Sequence, residues 1–326
     1  MKPLTCIPGP LRGALVLSVY LINTFFWLLP LFSLTLLKFC VPIPAFRRFV
    51  TRVLHGLVAH WVSVNNLTQR LFCDTRLEAT GLEQLRPKGW YLVIANHQSW
   101  VDILVLQRVF NRRIPLLTFF IKKELIWFPL LGQAWWALEF PFMKRYSTAY
   151  LKKHPEKRGQ DIAATLKACE KFKHQPIALM NFIEGTRFTP EKHQRSGSPY
   201  ANLLRTKAGG MALVLNTVGR RLHRILDVTI VYPDGPKSFW DFACGKIDRI
   251  HVQVDQIPVS PWMMGDYVAD RAFRRQFQAW LNGLWTQKDQ RITALLAASR
   301  KAESRERSHS SAAEAPRTEE LLSNQR

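Results

Sequence analysis

The sequence lacks the motifs of several common enzyme classes. Its five cysteines are scattered, with no Cys-x-x-Cys pair, so we expect no structural zinc site and interpret the cysteines as free thiols in a reducing compartment. It contains no Gly-x-x-x-x-Gly-Lys-Ser/Thr stretch and no Gly-x-Ser-x-Gly stretch. These absences argue against a nucleotide-hydrolysing P-loop protein and against a serine hydrolase with a nucleophile elbow.

Acidic residues are also scarce. The 326-residue chain has 24 Asp and Glu against 46 Lys and Arg, which gives a formal net charge of +22 and an isoelectric point of about 10.2. Residues 299–326 carry six basic and five acidic side chains, so the excess lies in the body of the chain. Such a balance indicates nucleic acid, an anionic membrane or a phosphorylated substrate. No zinc finger, RNA-binding signature or basic–aromatic interleaving accompanies it, so we expect no nucleic-acid partner.

Residues 13–37 contain no charge at all. This run of 25 residues is long enough to span a bilayer and too long for the core of a usual signal peptide. Pro30 lies inside it and would kink a helix, so two geometries are open: a tilted or kinked span, or a re-entrant helical hairpin in the cytoplasmic leaflet. The basic residues that follow place the C-terminal end of the run in the cytosol. They are Lys38, Arg47, Arg48 and Arg52.

Composition and patterning divide the chain into four parts. Residues 1–40 form an N-terminal membrane segment. Residues 41–70 form an amphipathic helix, which lies either in the membrane interface or on the folded domain. Residues 71–298 form one domain, and residues 299–326, rich in Ser, Glu, Arg and Ala, are expected to be disordered.

Strand and helix patterns alternate within residues 71–298. This alternation predicts an α/β domain with a largely parallel central sheet, in which ligands bind beyond the carboxyl ends of the strands. Strands are predicted at 75–80, 91–95, 116–121, 138–143, 177–183, 226–232 and 250–254. Helices are predicted at 100–110, 128–136, 161–172 and 266–298, the last with a break near Gln287, and residues 208–215 fit a helix or a buried strand.

The strand at 91–95 is followed by a histidine and a carboxylate. His97 is a side chain suited to taking a proton near neutral pH, and Asp102, five residues later, is placed to fix its tautomer. This is the His-Asp half of a catalytic triad without its serine. Ser99 is the nearest serine, but it is more simply interpreted as a helix cap than as a nucleophile. A structural interpretation is also open, in which His97 caps a helix and Asp102 stabilises its first turn.

The strand at 177–183 ends in a second polar cluster, Glu184-Gly185-Thr186-Arg187. A glycine in the turn lets the backbone approach a ligand closely, and an arginine offers two parallel hydrogen bonds to a phosphate. Two predicted strands therefore end in complementary chemistry, one in a base and the other in an anion-binding group.

These motifs resemble the signature blocks of the glycerolipid acyltransferases, the PlsC-type 1-acyl-sn-glycerol-3-phosphate acyltransferase superfamily. Asn96-His97-(x)4-Asp102 is similar to the first block and Glu184-Gly185-Thr186-Arg187 to the third. Phe140-Pro141-Phe142-Met143-Lys144-Arg145 resembles the second, although many members carry Gly at the position of Ala137 and an aliphatic residue at that of Pro141. Val228-Thr229-Ile230-Val231-Tyr232-Pro233 resembles the fourth. The resemblance covers roughly residues 70–290, and residues 136–147 and 170–172 resemble a bacterial inner-membrane branch that is similar to lysocardiolipin and lysophosphatidylinositol acyltransferases.

The resemblance implies a role for each motif. His97 would be the general base on the glycerol hydroxyl, and Asp102 would orient it. Backbone N–H groups near the two turns, that of Gly185 included, are candidates for stabilising the oxyanion.

The same resemblance assigns the substrate-binding residues. Arg187 would clamp the acceptor phosphate within the block that also contains Thr186, and Arg145 and Lys207 are further candidates for the same anion. Glu184 is expected either to hold Arg187 or the acceptor in place, or to form a structural ion pair.

The function implied is that of an O-acyltransferase in the bacterial inner membrane, with its active site facing the cytosol. It would move a fatty acyl group from acyl-CoA or acyl carrier protein to the sn-2 hydroxyl of lysophosphatidate, giving phosphatidate. Neither a metal nor a cofactor beyond the acyl donor is expected. Another lysophospholipid as the acceptor, and a non-catalytic basic membrane scaffold, are the alternatives.

Overall fold

The computed structural model describes residues 4, 6–143, 153 and 176–314, and two long helices precede its α/β domain. Helix α1 spans Gly9–Cys40 and helix α2 spans Pro44–Phe72. Each begins with a proline in its first turn, where the missing N–H costs nothing and the fixed φ favours a helix. The two helices pack antiparallel. Between them, Asn23 near the middle of α1 donates a buried hydrogen bond of 2.9 Å to Asn65 in the second half of α2.

Pro30 does not break α1, which continues through it to Cys40. A hairpin folded about Pro30 is therefore not what the chain forms; the hairpin consists of α1 and α2, and its turn lies at residues 41–43. The amphipathic helix predicted at residues 41–70 corresponds to α2, and its apolar stripe is partly buried against α1. Among the described residues, α1 is the helix long and apolar enough to cross a membrane by length and composition.

The remaining elements follow in the alternation that the sequence predicts. The strands are β1 Arg76–Thr80, β2 Tyr91–Ala95, β3 Leu117–Phe119, β4 Ile121–Lys122, β5 Phe142–Met143, β6 Ala178–Phe182, β7 Arg224–Val231 and β8 Arg249–Ile257. The helices are α3 Val101–Phe110, α4 Leu131–Ala137, α5 Pro190–Ser196, α6 Ala208–Val218, α7 Phe239–Ala243 and α8 Arg271–Glu314. Short 3-10 turns occupy Lys123–Trp127, Gly219–Arg221 and Pro261–Met263.

The central sheet has the strand order β1-β8-β7-β2-β6-β3, and its neighbouring strands are parallel except for the antiparallel pair β7 and β8. The predicted α/β fold with a largely parallel sheet is confirmed. In the register of β2 and β6, Ala95 lies beside Phe182. The polar turns that follow these two strands therefore leave the sheet at the same edge.

Strand β2 lies in the middle of the sheet, and all five of its residues are buried. Leu92 and Ile94 face the layer of α6 and α8, whereas Val93 and Ala95 face the layer of α3. This two-sided burial explains why β2 is an uninterrupted apolar run instead of an alternating one. It also gives the residues after β2 a rigid support.

Several predicted boundaries differ from the structure. Residues 208–215 belong to a helix, and the strand predicted at 138–143 is reduced to Phe142–Met143. Helix α8 begins at Arg271, has no break at Gln287 and continues to Glu314. Residues 299–314, predicted as the start of a disordered tail, are thus helical, in keeping with their many helix-favouring Ala, Glu, Lys and Arg residues. The helix predicted at 161–172 lies outside the described residues.

Candidate active site

His97 and Asp102 form a hydrogen-bonded pair at the carboxyl end of β2. His97 Nδ1 lies 2.8 Å from Asp102 Oδ2, and the carboxylate is fully buried in the first turn of α3. The backbone N–H groups of Gln98 and Ser99 donate to the same oxygen at 2.7 and 2.9 Å. The carboxylate therefore caps its own helix and holds the imidazole at once. His97 Nε2, on the far side of the ring, has no hydrogen-bond partner among the residues described.

Tyr232 is a site residue that the sequence did not single out. Its hydroxyl donates to Asp102 Oδ1 at 2.6 Å from the end of β7, and its side chain is buried. Burial, followed by the negative charge of Asp102 and this hydrogen bond, raises the pKa of Tyr232 well above its usual value. The hydroxyl thus stays a donor, and both oxygens of Asp102 are occupied. The available signal was the place of Tyr232 in the fourth block, directly before Pro233.

Glu184 joins the two polar turns through the backbone. Its Oε1 accepts the N–H of His97 at 2.8 Å, and its Oε2 accepts the N–H of Leu204 at 2.8 Å. The N–H of Phe188 donates to the carbonyl of His97 at 2.7 Å, which adds a second tie. Both oxygens of Glu184 thus bond backbone N–H groups, and among the described residues the carboxylate forms neither the expected contact with Arg187 nor an ion pair. That Glu184 helps to hold the acceptor stays a prediction. Burial raises the pKa of Glu184 to about 7, although the two backbone donors oppose that shift.

The turn after β6 carries a group of cations. Gly185 has a left-handed φ of +69°, and a Cβ on it would come within 2.9 Å of Lys207 Cδ, so Lys207 lies directly against the turn. Lys192 Nζ donates to Thr186 Oγ1 at 2.9 Å and to the carbonyl of Arg187 at 3.1 Å. The sequence prediction omitted Lys192. This arrangement can hold an anion with both charge and directed hydrogen bonds.

Arg187 connects this turn to the residues after His97. Its guanidinium lies 4.5 Å from the ring centre of Trp100, in a cation–π contact. The indole is half exposed, so the face of the guanidinium is supported while its edge is available to a ligand. Phe182, the last residue of β6, stacks on the imidazole of His97 with 3.9 Å between the ring centres.

Ser99 is not placed as a nucleophile. It is buried, its hydroxyl donates to the carbonyl of Lys237 at 2.8 Å, and it accepts the N–H of Val101 at 3.1 Å. It thus caps α3, as predicted. A small apolar cavity of about 330 Å³ lies beside it, lined by Trp100, Ile103, Leu104 and Phe239.

The position of Arg145 and the expectation about metals complete the comparison with the sequence. Arg145 lies outside the described part of the chain. Within that part, no group of three or more His, Cys, Asp or Glu side chains is placed to hold a metal ion. The described site thus consists of one His-Asp pair, one buried glutamate and a cationic turn.

Comparison with known proteins finds similarity to acyltransferases. Residues 76–233 match the family model described as Acyltransferase. The chain is 28% identical over 187 residues to human 1-acyl-sn-glycerol-3-phosphate acyltransferase alpha, covering 57% of this chain and 54% of that protein. It is 34% identical over 132 residues to the Saccharomyces cerevisiae 1-acyl-sn-glycerol-3-phosphate acyltransferase, covering 40% and 39%. It is 22% identical over 263 residues to Gallus gallus lysocardiolipin acyltransferase 1, covering 76% and 64%.

The matched region is a part of each of these relatives, and the chain spans about half the length of the human protein. Among solved structures, the 1-acyl-sn-glycerophosphate acyltransferase PlsC from Thermotoga maritima is similar with a TM-score of 0.49 and 18% identity. The match covers 88% of this chain and 95% of that one.

Proposed function

We propose that this chain, which carries a domain of the Acyltransferase family over residues 76–233, transfers a fatty acyl group from a thioester donor to the sn-2 hydroxyl of lysophosphatidate. One observation carries the proposal. The His97–Asp102 pair is tied by Glu184 to the cationic turn that contains Gly185 and Arg187. A base for the hydroxyl and a binding site for the phosphate thus belong to one rigid unit.

The chemistry follows from the free Nε2 of His97. It takes the proton of the glycerol hydroxyl as the oxygen attacks the thioester carbonyl, and Asp102 stabilises the imidazolium that forms. Backbone N–H groups near the two turns stabilise the tetrahedral oxyanion. The intermediate then expels the thiolate of the donor, which takes the proton from His97. An ester bond forms, a thioester bond breaks, and the histidine returns to its neutral state.

Substrate recognition is assigned to the cationic turn. Arg187 would make two parallel hydrogen bonds to the phosphate of the acceptor, with Lys207 and Lys192 adding positive charge. The cavity beside Trp100 is apolar and fits part of an acyl chain. The donor is acyl-CoA or acyl carrier protein, and both present the same thioester carbonyl to the site.

The membrane geometry follows from the contacts of α1. The helix has 32 residues and is therefore about 48 Å long. Near its start Gly13 packs against Cys244, at the end of α7, and near its end Phe39 stacks on Trp136 of α4. Because the domain contacts α1 near both ends, a helix that crossed the bilayer would place part of this domain inside the hydrocarbon, which is about 30 Å thick. We therefore infer that α1 lies along the inner membrane on the cytosolic side, with its outer face in lipid.

There are two alternatives to this function: an acyltransferase that acts on another lysophospholipid, and a non-catalytic membrane scaffold. The likeness to lysocardiolipin acyltransferase 1 favours a comparison with other lysophospholipids, since a cationic turn fits any anionic headgroup. A non-catalytic scaffold would need no tie between Glu184 and the backbone of His97, and it is the least favoured alternative.

The test is acyl transfer by purified protein with labelled oleoyl-CoA and a panel of lysolipids. His97→Ala should lose about 100-fold to 10,000-fold of the rate, because that is the usual contribution of a general base. His223→Ala is the matched control: His223 is an exposed histidine of the same domain, bonded to the backbone N–H of Trp90. Lysophosphatidate should be the preferred acceptor. A full rate in His97→Ala would refute the mechanism, and preference for another headgroup would correct the substrate.

A further inference from the structure

A group of large apolar side chains lies exposed between β4 and the end of α4. Trp127 is 82% exposed, and its neighbours in this segment are each about half exposed. We call the group the Trp127 surface; it consists of Leu125, Trp127, Phe128, Leu130 and Trp136. Soluble proteins rarely present so many contiguous apolar side chains without a partner, so this surface needs an occupant.

The segment that carries this surface is folded, so the exposure is not that of a loose loop. The N–H of Gly132 donates to the carbonyl of Phe128 at 2.9 Å, and Gln133 Nε2 donates to the carbonyl of Ile126 at 3.2 Å. A Cβ on Gly132 would lie 2.3 Å from that same carbonyl, so the backbone packs too closely for any larger residue. Leu130 holds a left-handed φ of +64°, a conformation disfavoured for leucine.

The Trp127 surface is continuous with the apolar face of α1. Phe39 and Trp136 stack with their ring centres 5.2 Å apart and their planes within 7°. Lys38 Nζ bonds Glu139 Oε1 at 2.5 Å just beyond α4. Behind these contacts, α4 and the residue that follows it pack on Leu28 and Leu31 of α1. Both apolar surfaces are thus held rigidly together, next to the end of α1.

Positive charge borders the same surface. Lys122 and Lys123 come shortly before Leu125 and are separated from it by Glu124, whose Oε2 lies 3.7 Å from Lys122 Nζ. Arg47 and Arg48 of α2 line the cavity to which Phe39 and Trp136 also contribute. Tryptophan beside lysine and arginine is the combination that proteins place at the headgroup level of anionic bilayers. We propose that the Trp127 surface inserts into the headgroup region of an anionic bilayer, as a second membrane contact beside α1. This inference rests on the membrane placement proposed above.

Depth-dependent quenching tests it in full-length protein in nanodiscs of phosphatidylethanolamine and phosphatidylglycerol. Trp127→Cys is labelled with an environment-sensitive NBD dye in a variant whose exposed native cysteines are serine. Trp262→Cys is the matched control, because Trp262 is also partly exposed but packs on Trp280 of α8, in the layer on the other side of the sheet. Ile22→Cys, on the exposed face of α1, reports membrane contact as such.

We expect lipids brominated near the headgroup to quench the dye at residue 127 at least threefold more than the dye at residue 262. Equal quenching at these two positions, with strong quenching at residue 22, overturns the Trp127 surface while leaving the membrane placement of α1 intact. Quenching at none of the three positions overturns the membrane placement itself. The measurement needs no turnover, so it stands apart from the acyl-transfer test.

Discussion

Replacing Tyr232 with phenylalanine removes one hydrogen bond from the centre of the site and little else. The hydroxyl donates to Asp102 Oδ1 at 2.6 Å, and the ring, which is buried in the layer of α3, stays in place. Asp102 keeps its three contacts on Oδ2, from His97, Gln98 and Ser99. Only the charge on Oδ1 is left without a donor.

The size of the effect follows from that loss. A hydrogen bond to a charged group contributes about 1.5–3 kcal/mol, and about 1.4 kcal/mol corresponds to a tenfold change in rate. Asp102 orients the imidazole and stabilises the imidazolium that forms during the reaction, so a less firmly held carboxylate slows the chemical step. The value of kcat/KM for lysophosphatidate should therefore fall by about tenfold to 100-fold.

The assay is kcat/KM for lysophosphatidate, together with the free energy of unfolding from denaturant titration, in wild type and Tyr232→Phe. Tyr91→Phe is the control, since Tyr91 is a buried tyrosine of the same layer whose hydroxyl accepts the N–H of Arg86 at 2.9 Å. It should lower the free energy of unfolding without lowering kcat/KM. If kcat/KM of Tyr232→Phe equals that of wild type, or if both variants lower it equally, the reasoning about Asp102 is refuted.

Three further predictions follow from the same structure. Arg187→Lys should raise KM for lysophosphatidate about tenfold or more and leave KM for acyl-CoA unchanged. Lysine keeps the positive charge but loses the two parallel hydrogen bonds of the guanidinium and its contact with the ring of Trp100. Steady-state kinetics with each substrate varied in turn will check this. The pKa of Glu184 in the folded state is raised from 4.5 to about 7, so its contribution to the free energy of unfolding should be fully present below pH 4.5 and fall as the pH rises to about 7. Denaturant titrations over this pH range should show a smaller decline in the free energy of unfolding for Glu184→Gln than for wild type. An equal decline would contradict the assignment. If α1 lies along the membrane, the exposed thiols Cys6 and Cys40 should react with an impermeant maleimide from the same side, tested in variants that retain one of them; reaction from opposite sides would mean that α1 spans the bilayer.

Local sequence was sufficient to predict the elements that carry the site. Residues 91–95 are apolar throughout, and a central strand buried on both faces is what such a run forms. His97 and Asp102 are close in sequence, so the end of a strand and the first turn of a helix bring them together without help from distant parts of the chain.

The pattern of polar residues in the sequence led to a wrong prediction in α8, where a charged residue is buried. The break predicted near Gln287 does not occur, since Lys288 lies fully buried with its Nζ 2.8 Å from Asp227 Oδ1 on β7. A sequence pattern treats a lysine as a solvent-facing residue, whereas a partner 61 positions away makes it part of the face that α8 packs on the sheet. The pairing of these two charges exists only in the folded chain.

The sequence by itself determined the fold class, the His97–Asp102 pair, the cationic turn and the apolar N-terminal helix, because each depends on residue type and short-range spacing. The tertiary structure alone decided what holds the site together. Glu184 reaches the backbone of His97 across 87 positions, and Tyr232 reaches Asp102 across 130. These contacts arise because a parallel sheet gathers the ends of distant strands at one edge, where a buried carboxylate takes whichever N–H or O–H donors the fold brings to it.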